Sequence, residues 1–227
     1  MEISVFSGGA AEPGLDVVAA AFQKDTGHSV RIAYNLGARG RERMDEGEIF
    51  DVVIATSDAM NRHFRPSGKV EAGGVSIGRV GLGMMVRIGA PVPDISSLDA
   101  LRRAVLEAES ILYTEEASGL CIDHLLGKMG IDEQVKTRAV RHRNGPELMD
   151  RMLRGGGREI GFLPITAIRM YRSKGIVLVG PLPDEAQYYL ELIAVPSALS
   201  TKKEVAWEFV RFCGQQGKPL LVANGVS

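Results

Sequence analysis

Cysteine is scarce in this chain: two residues in 227, Cys121 and Cys213. That is too few for a disulfide framework or a thiolate metal cage. Both are expected as free thiols, a mildly unusual state for an oxidising compartment. An excess of charge is also missing, with 27 Lys and Arg against 28 Asp and Glu. Near-balance excludes a generally basic nucleic-acid binder, though not a local basic pocket. No apolar run reaches the about 18 residues that mark a membrane-spanning helix. The four histidines, His28, His63, His124 and His142, are scattered without metal-ligand spacing. No P-loop, nucleophile elbow or paired-carboxylate motif occurs. Neither a metal nor a cofactor is expected, and an enzyme is the disfavoured class. The first residues, Met1-Glu2-Ile3-Ser4-Val5-Phe6, enter a strand alternation with no basic or apolar leader. The expected location is periplasmic if a leader was removed ahead of Met1, and cytoplasmic otherwise.

What is present is a core-forming chain, 45% apolar and 24% charged, long enough for one large domain or two small lobes. Its 27 glycines are spread among hydrophobic segments, with no collagen-like period. Ile3 to Phe6 reads as a strand and Ser7 to Ala11 as a turn. Leu15, Val18, Ala19 and Phe22 follow at helical spacing, and Gly27 ends that helix. Val30 to Tyr34 is the next strand, Asn35 to Ala38 a loop, and Arg39 to Glu46 a short helix. Asp51 to Ala55 is continuously apolar after its first residue, the pattern of a strand buried on both faces. Thr56 or Ser57 then caps a helix through Phe64.

Gly78 to Arg87 reads as a longer strand, after which a second α/β series begins. It runs through a helix behind Ser96-Ser97, a strand at 110–113, a loop at 114–119 and a helix at 120–129. A strand at 137–143, a helix at 145–154 and strands at 160–163 and 176–179 complete it. Tyr188 to Val195 is another long apolar strand, and a helix from Thr201 to about Cys213 closes the chain. Two α/β series separated by long strands suit two lobes: 1–80 plus 190–227, and 81–189. The fold class is α/β with parallel sheets, and ligands of such sheets bind beyond the carboxyl ends of the strands, here in an inter-lobe cleft.

In this order, several short segments resemble the molybdate-binding branch of the type II periplasmic solute-binding proteins. They are Val5 to Phe22, Phe50 to Ala55 with Asp58 and Met60, and Arg79 to Gly83 with Gly89 to Ser97. Tyr113-Thr114 with Ala117-Ser118-Gly119, and Val179 to Pro183, complete the resemblance. It implies a two-lobed fold with two crossing hinge strands. It also implies capture of a small anion by hydroxyls and backbone N–H groups at helix starts, without counter-charges. The implied partners are a molybdate- or tungstate-like oxyanion, or a small carboxylate, and the membrane subunits of an ABC importer. The protein is expected to act as a monomer and to bind no nucleic acid. A cytosolic effector-sensing module of the same fold is the alternative.

Carried onto this chain, the implied ligand-binding residues are Ser7 and Gly8, then Gly37, Ala38 and Arg39, and Ser57 at the third helix start. In the second lobe they are Ser118, Gly119, Asn144, Gly145 and Pro164. Two departures stand out. No hydroxyl is present at Gly37-Ala38, and Pro164 replaces a tyrosine of the family pattern. Arg39 is able to compensate, because a guanidinium fork suits a planar carboxylate at least as well as a tetrahedral oxyanion. Plainer readings compete at each position: Ser7 as a turn residue, Arg39 on a solvated face with Arg41 and Arg43, Ser118 and Gly119 as caps. Cys121 and His124 share a helix face, but no third group orients them. The cluster at Arg138, Arg141, His142 and Arg143 reads as an exposed strand face. Arg154-Gly155-Gly156-Gly157-Arg158 follows a helix and so reads as its C-terminal turn.

Overall fold

The computed structural model describes residues 1–34 and 37–227, the side chains of 37–39 excepted. β1 (Glu2–Ser7) passes through one 3-10 turn into α1 (Glu12–Thr26). Pro13 lies in the first turn of α1, where no N–H is needed. Gly27 stops the helix in a left-handed conformation with φ of 75°, its N–H closing on the Gln23 carbonyl. β2 (Ser29–Tyr34), α2 (Gly37–Asp45) and β3 (Val52–Thr56) follow. Gly37 and Ala38 are therefore the first residues of a helix rather than loop, while Asn35 and Leu36 lie outside the described residues. Thr56, not Ser57, caps α3 (Ser57–Ala59): its hydroxyl accepts from the Ala59 N–H at 3.2 Å. A π-helical turn, Met60–Phe64, extends that helix.

β4 (Val75–Arg87) is 13 residues long. Then come α4 (Leu98–Glu107), capped by the Ser97 hydroxyl at 3.2 Å from the Ala100 N–H, and β5 (Ser110–Thr114). α5 (Ala117–Lys128), α6 (Asp132–Val135), β6 (Ala139–His142), α7 (Gly145–Arg154) and β7 (Glu159–Pro164) continue the alternation. The chain ends with α8 (Ile165–Met170), β8 (Ile176–Pro181), β9 (Tyr189–Pro196), α9 (Lys203–Gly214) and α10 (Lys218–Ala223). The closing helix starts two residues later than its hydrophobic pattern suggests. α10 carries too short a pattern to be read from sequence.

The chain divides into two compact units, Met1–Val80 with Glu191–Ser227, and Gly81–Leu190. β4 passes from the first unit to the second between Val80 and Gly81, and β9 returns between Leu190 and Glu191. In the first unit β1 lies between β2 and β3, all parallel, and β9 runs antiparallel on β3. Ile3, Val5, Val52 and Ile54 face α1, α9 and α10 in one core, where Phe22 meets Phe209 and Phe212 edge-on at 5.1 and 5.4 Å. Phe6, Val53 and Ala55 face the other side, against Phe50, Met60 and Phe64. Each such side chain contributes about 1.5–3 kcal/mol when fully buried. Gly14 lets α10 approach α1: a Cβ there would meet Leu221 Cδ2 at 2.9 Å.

In the second unit β5 lies between β6 and β7, all parallel, β4 runs antiparallel on β7, and β8 antiparallel on β4. Ile111 and Tyr113 point into the core with Ile122, Leu125 and Leu101. Leu112 points the other way, toward Leu148, Met149 and Met152 of α7. Every residue of β7 is buried, as an interior strand held between parallel β5 and antiparallel β4 and covered on both faces requires.

Candidate functional site

In each unit the central strand of the parallel trio ends in a buried hydroxyl and hands over to a helix. β1 ends at Ser7, which has no exposed surface. Its Oγ donates to the Gly8 carbonyl at 3.0 Å, so it is a turn residue of the β1–α1 corner and caps no helix. Gly8 is extended (φ −67°, ψ 153°), its N–H bonds the Ile54 carbonyl at 3.2 Å, and a Cβ there would meet nothing within 4 Å. The backbone at Gly8 thus borders open space. Ser57 stands half-buried at the first position of α3, behind its cap Thr56. Gly37 and Ala38 open α2, with Arg39 one residue further along.

β5 ends at Thr114, whose Oγ1 lies 3.1 Å from Ser118 Oγ; both residues are buried. Ser118 and Gly119 do not cap α5. Glu116 occupies the N-cap position and Ser118 is already helical. Gly119 is demanded by a different contact: its Cβ would lie 1.6 Å from the Thr114 carbonyl oxygen. The first turn of α5 therefore presses on the end of β5, and the Gly119 N–H is taken by the Glu116 carbonyl at 2.9 Å. At α7 the Asn144 side chain accepts from the Glu147 N–H at 3.0 Å, while Glu147 accepts from the Arg143 N–H at 3.2 Å. With Pro146 lacking an N–H, Gly145 supplies the first-turn amide that the cap does not engage. Pro164 is buried at the end of β7, opposite Leu82 of β4, with Thr166 buried two residues on.

Three residues of this region escape sequence reading as site candidates: Thr114, Thr166 and His142. The first had a signal, since a hydroxyl closes β5 as Ser7 closes β1. His142 ends β6 in register with Thr114. Its Nε2 is buried without a hydrogen-bond partner, and burial holds the imidazole below its usual pKa, keeping it neutral.

The other charged groups are engaged elsewhere. Arg138 donates to the Leu106 and Ala108 carbonyls at the end of α4, Arg141 pairs with Asp123 at 2.7 Å, and Arg143 with Glu147 at 2.8 Å. Tyr113 also donates to Asp123, at 2.8 Å. His124 packs edge-on against Tyr188 with ring centroids 6.0 Å apart. Gly157, with φ of 79°, turns the chain after α7. Neither Cys121 nor Cys213 is in a disulfide, and burial raises the Cys213 pKa. Among the described residues no group of three or more His, Cys, Asp or Glu is placed to hold a metal. A polar pocket of about 290 Å³ lies at the opposite, amino end of β1 and β2. Its charges are mutually satisfied: Asp51 accepts from Ser4, Ser200 and Lys202, and Arg31 faces Glu2 at 3.6 Å.

Hydroxyls and helix starts at the carboxyl end of a parallel strand trio in each unit agree with the type II solute-binding resemblance. Residues 3–226 match the family described as bacterial extracellular solute-binding protein. The chain belongs to that family. Its fold is the two-lobed type II periplasmic-binding fold. The periplasmic molybdate-binding protein of Azotobacter vinelandii superposes with a TM-score of 0.79, at 16% identity, over 99% of this chain and 98% of that one. The sulfate-binding protein of Mycobacterium tuberculosis H37Rv superposes with a TM-score of 0.80, at 20% identity, over 99% and 86%. A curated relative, aconitate isomerase of a Pseudomonas species, is 29% identical over 192 residues, covering 82% of this chain and 71% of that protein. Among the described residues no helix is long and apolar enough to cross a membrane.

Proposed function

We propose that this solute-binding protein captures a small organic acid, of the di- or tricarboxylate class, and delivers it in the periplasm to an ABC importer. The reading rests on one observation: both units close their central strand with a buried hydroxyl beside a helix start, Ser7-Gly8 in one and Thr114-Ser118 in the other. Helix starts and hydroxyls hold an anion through N–H and O–H donors and the partial positive charge of the helix end. The proposed donors are Ser57, Ser118, Asn144 and Gly145, with Arg39 supplying a guanidinium; Ser7 and Gly8, whose own protons go to the Gly8 and Ile54 carbonyls, shape the wall with Gly37, Ala38, Gly119 and Pro164.

The acid is favoured over a tetrahedral oxyanion by what the site lacks. Without a hydroxyl at Gly37-Ala38, and with Pro164 where the family pattern has tyrosine, an oxyanion loses two side-chain donors. Each charged oxygen left unpaired costs several kcal/mol of lost hydration. A planar carboxylate suits the Arg39 fork at least as well as a tetrahedral oxyanion, and the curated relative is named for a tricarboxylic acid. Molybdate or tungstate is the second reading, supported by the fold neighbours that bind such oxyanions.

Thermal-shift screening against cis- and trans-aconitate, citrate, succinate, molybdate, tungstate, sulfate and phosphate tests the proposal. At a hundredfold excess over the dissociation constant, stabilisation of about 2.7 kcal/mol is expected from the true ligand. Stabilisation by molybdate alone overturns the acid reading. A response only to neutral or cationic solutes overturns the anion reading altogether. Proton NMR of cis-aconitate incubated with the protein checks for turnover; conversion to the trans isomer would replace transport by catalysis. An upstream signal sequence in the reading frame supports transport, and its absence supports the cytosolic sensing alternative.

A further inference from the structure

Leu82 is the second residue of β4 beyond the point where the strand leaves the first unit. Both of its backbone groups are held twice. Its N–H donates to the Tyr188 carbonyl at 3.1 Å and to Gln187 Oε1 at 2.9 Å. Its carbonyl accepts from the Leu182 N–H at 3.2 Å and from Gln187 Nε2 at 3.1 Å. The same Gln187 side chain accepts from the Tyr188 N–H at 3.0 Å and reaches the Leu182 carbonyl at 3.4 Å. A carboxamide has one acceptor and two donors, so it pairs with a strand as a peptide unit does. Its orientation is fixed by chemistry, because the flipped amide would set N–H against N–H at Leu82 and Tyr188.

On the other side of the crossing point, Arg79 exchanges both backbone bonds with Ser227, at 2.7 and 2.9 Å. Val80 and Gly81 lie between these two clamps. A Cβ at residue 81 would stand 3.4 Å from the Gln187 carboxamide and from Tyr189, an ordinary contact, so the clamp packs closely on Gly81 without depending on the absence of a side chain there. Gly83 is paired with Leu163 and Pro181 and packed on Ile165.

We propose that Gln187 is a positioning residue for ligand capture: a side-chain clamp that stiffens β4 at its exit from the first unit and preorganises the anion-binding form. The inference rests on the anion-capture reading above. A ligand-free protein whose β4 samples fewer backbone conformations at Leu82 loses less conformational freedom on binding, and its apparent affinity rises with the competent fraction. Gln187→Met keeps the length of the side chain and removes all four polar contacts. Gln187→Glu keeps the acceptor for Leu82 and Tyr188 but removes the donor to the Leu82 and Leu182 carbonyls.

The experiment has a ligand-free arm and a titration arm. In the first, hydrogen exchange of the Leu82 amide is compared in wild type and both variants, with Ile111 and Leu112 as internal references. Gln187→Met is expected to speed exchange at Leu82 about fivefold, the worth of one ordinary hydrogen bond, and Gln187→Glu by less. In the second, calorimetric titration with trans-aconitate and with molybdate is expected to show affinity about three- to tenfold weaker in Gln187→Met. Unchanged exchange at Leu82, or faster exchange with unchanged affinity, overturns the positioning role. If wild type binds neither anion, the capture reading fails, and exchange at Leu82 alone decides whether Gln187 clamps the strand.

Discussion

The two strand ends that border the proposed site residues are built on the same plan with opposite tolerances. At the end of β1, Ser7 is closed off against the Gly8 carbonyl, and the space in front of Gly8 is empty. At the end of β5, Thr114 and Ser118 share a buried hydroxyl pair, and Gly119 is jammed against the Thr114 carbonyl. One corner spends its glycine on access, the other on packing. Two glycines of the same sequence flavour thus answer to different physics.

The largest expected effect tests that contrast directly. Gly119→Ala forces a methyl into a backbone oxygen that has nowhere to go, so urea unfolding should show destabilisation of about 3 kcal/mol or more. Gly8→Ala, whose methyl meets open space at an ordinary φ, should stay within about 0.5 kcal/mol while weakening anion binding. Equal effects on stability would erase the difference between the corners.

Next in size is the hydroxyl pair. Ser118→Ala strands the Thr114 hydroxyl in a buried place and should cost about 1–3 kcal/mol. The double variant with Thr114→Val should cost less than the sum of the two single changes, because one interaction is removed twice. Additive effects in denaturant would show that the two hydroxyls do not act as a pair.

The units should also part company in acid. His142, in the second unit, has a pKa held below 6.5 by burial, so neutral imidazole is the native form. Its contribution is present above about pH 6.5 and declines as the pH falls through the lowered folded value. In the first unit, burial alone would raise the Asp51 pKa, but bonds from Ser200, Ser4 and Lys202 bring it below 3.8. That contribution is full above about pH 4 and is lost only as the pH falls through the lowered folded value. Acid titration followed by hydrogen exchange should therefore loosen β6 before β1, and His142→Gln should flatten the milder transition. Loosening of β1 first would reverse the assignment.

The smallest effect is chemical. Cys213 is fully buried with its pKa raised, whereas Cys121 is only partly buried. Native protein should alkylate at Cys121 well before Cys213, and both should react after denaturation; peptide mass mapping reads the order.

Much of this was legible because it is local. Gly27 as a left-handed stop, Thr56, Ser97 and Asn144 at helix starts, and the unbroken apolar run of β3 each depend on a few neighbouring residues. Ser7 at a strand end and the turn at Gly157 follow from the same short-range rules. Gly119 did not. Its sequence context suggests a cap, and its actual reason is the carbonyl of Thr114, brought close only when α5 folds back on β5. The start of α2 at Gly37, α10 against Gly14, and the orphaned Nε2 of His142 were equally hidden.

The sequence by itself determined the alternation of strands and helices and the family they belong to, since periodicity, caps and glycine stops are short-range preferences written residue by residue. Only the tertiary structure decided what each polar group does. Gln187 shows why: nothing near it in the chain distinguishes it from a solvated glutamine, and its partner Leu82 lies 105 residues away. Hydrogen bonds act over about 3 Å in space, and only the folded chain sets which groups come that close.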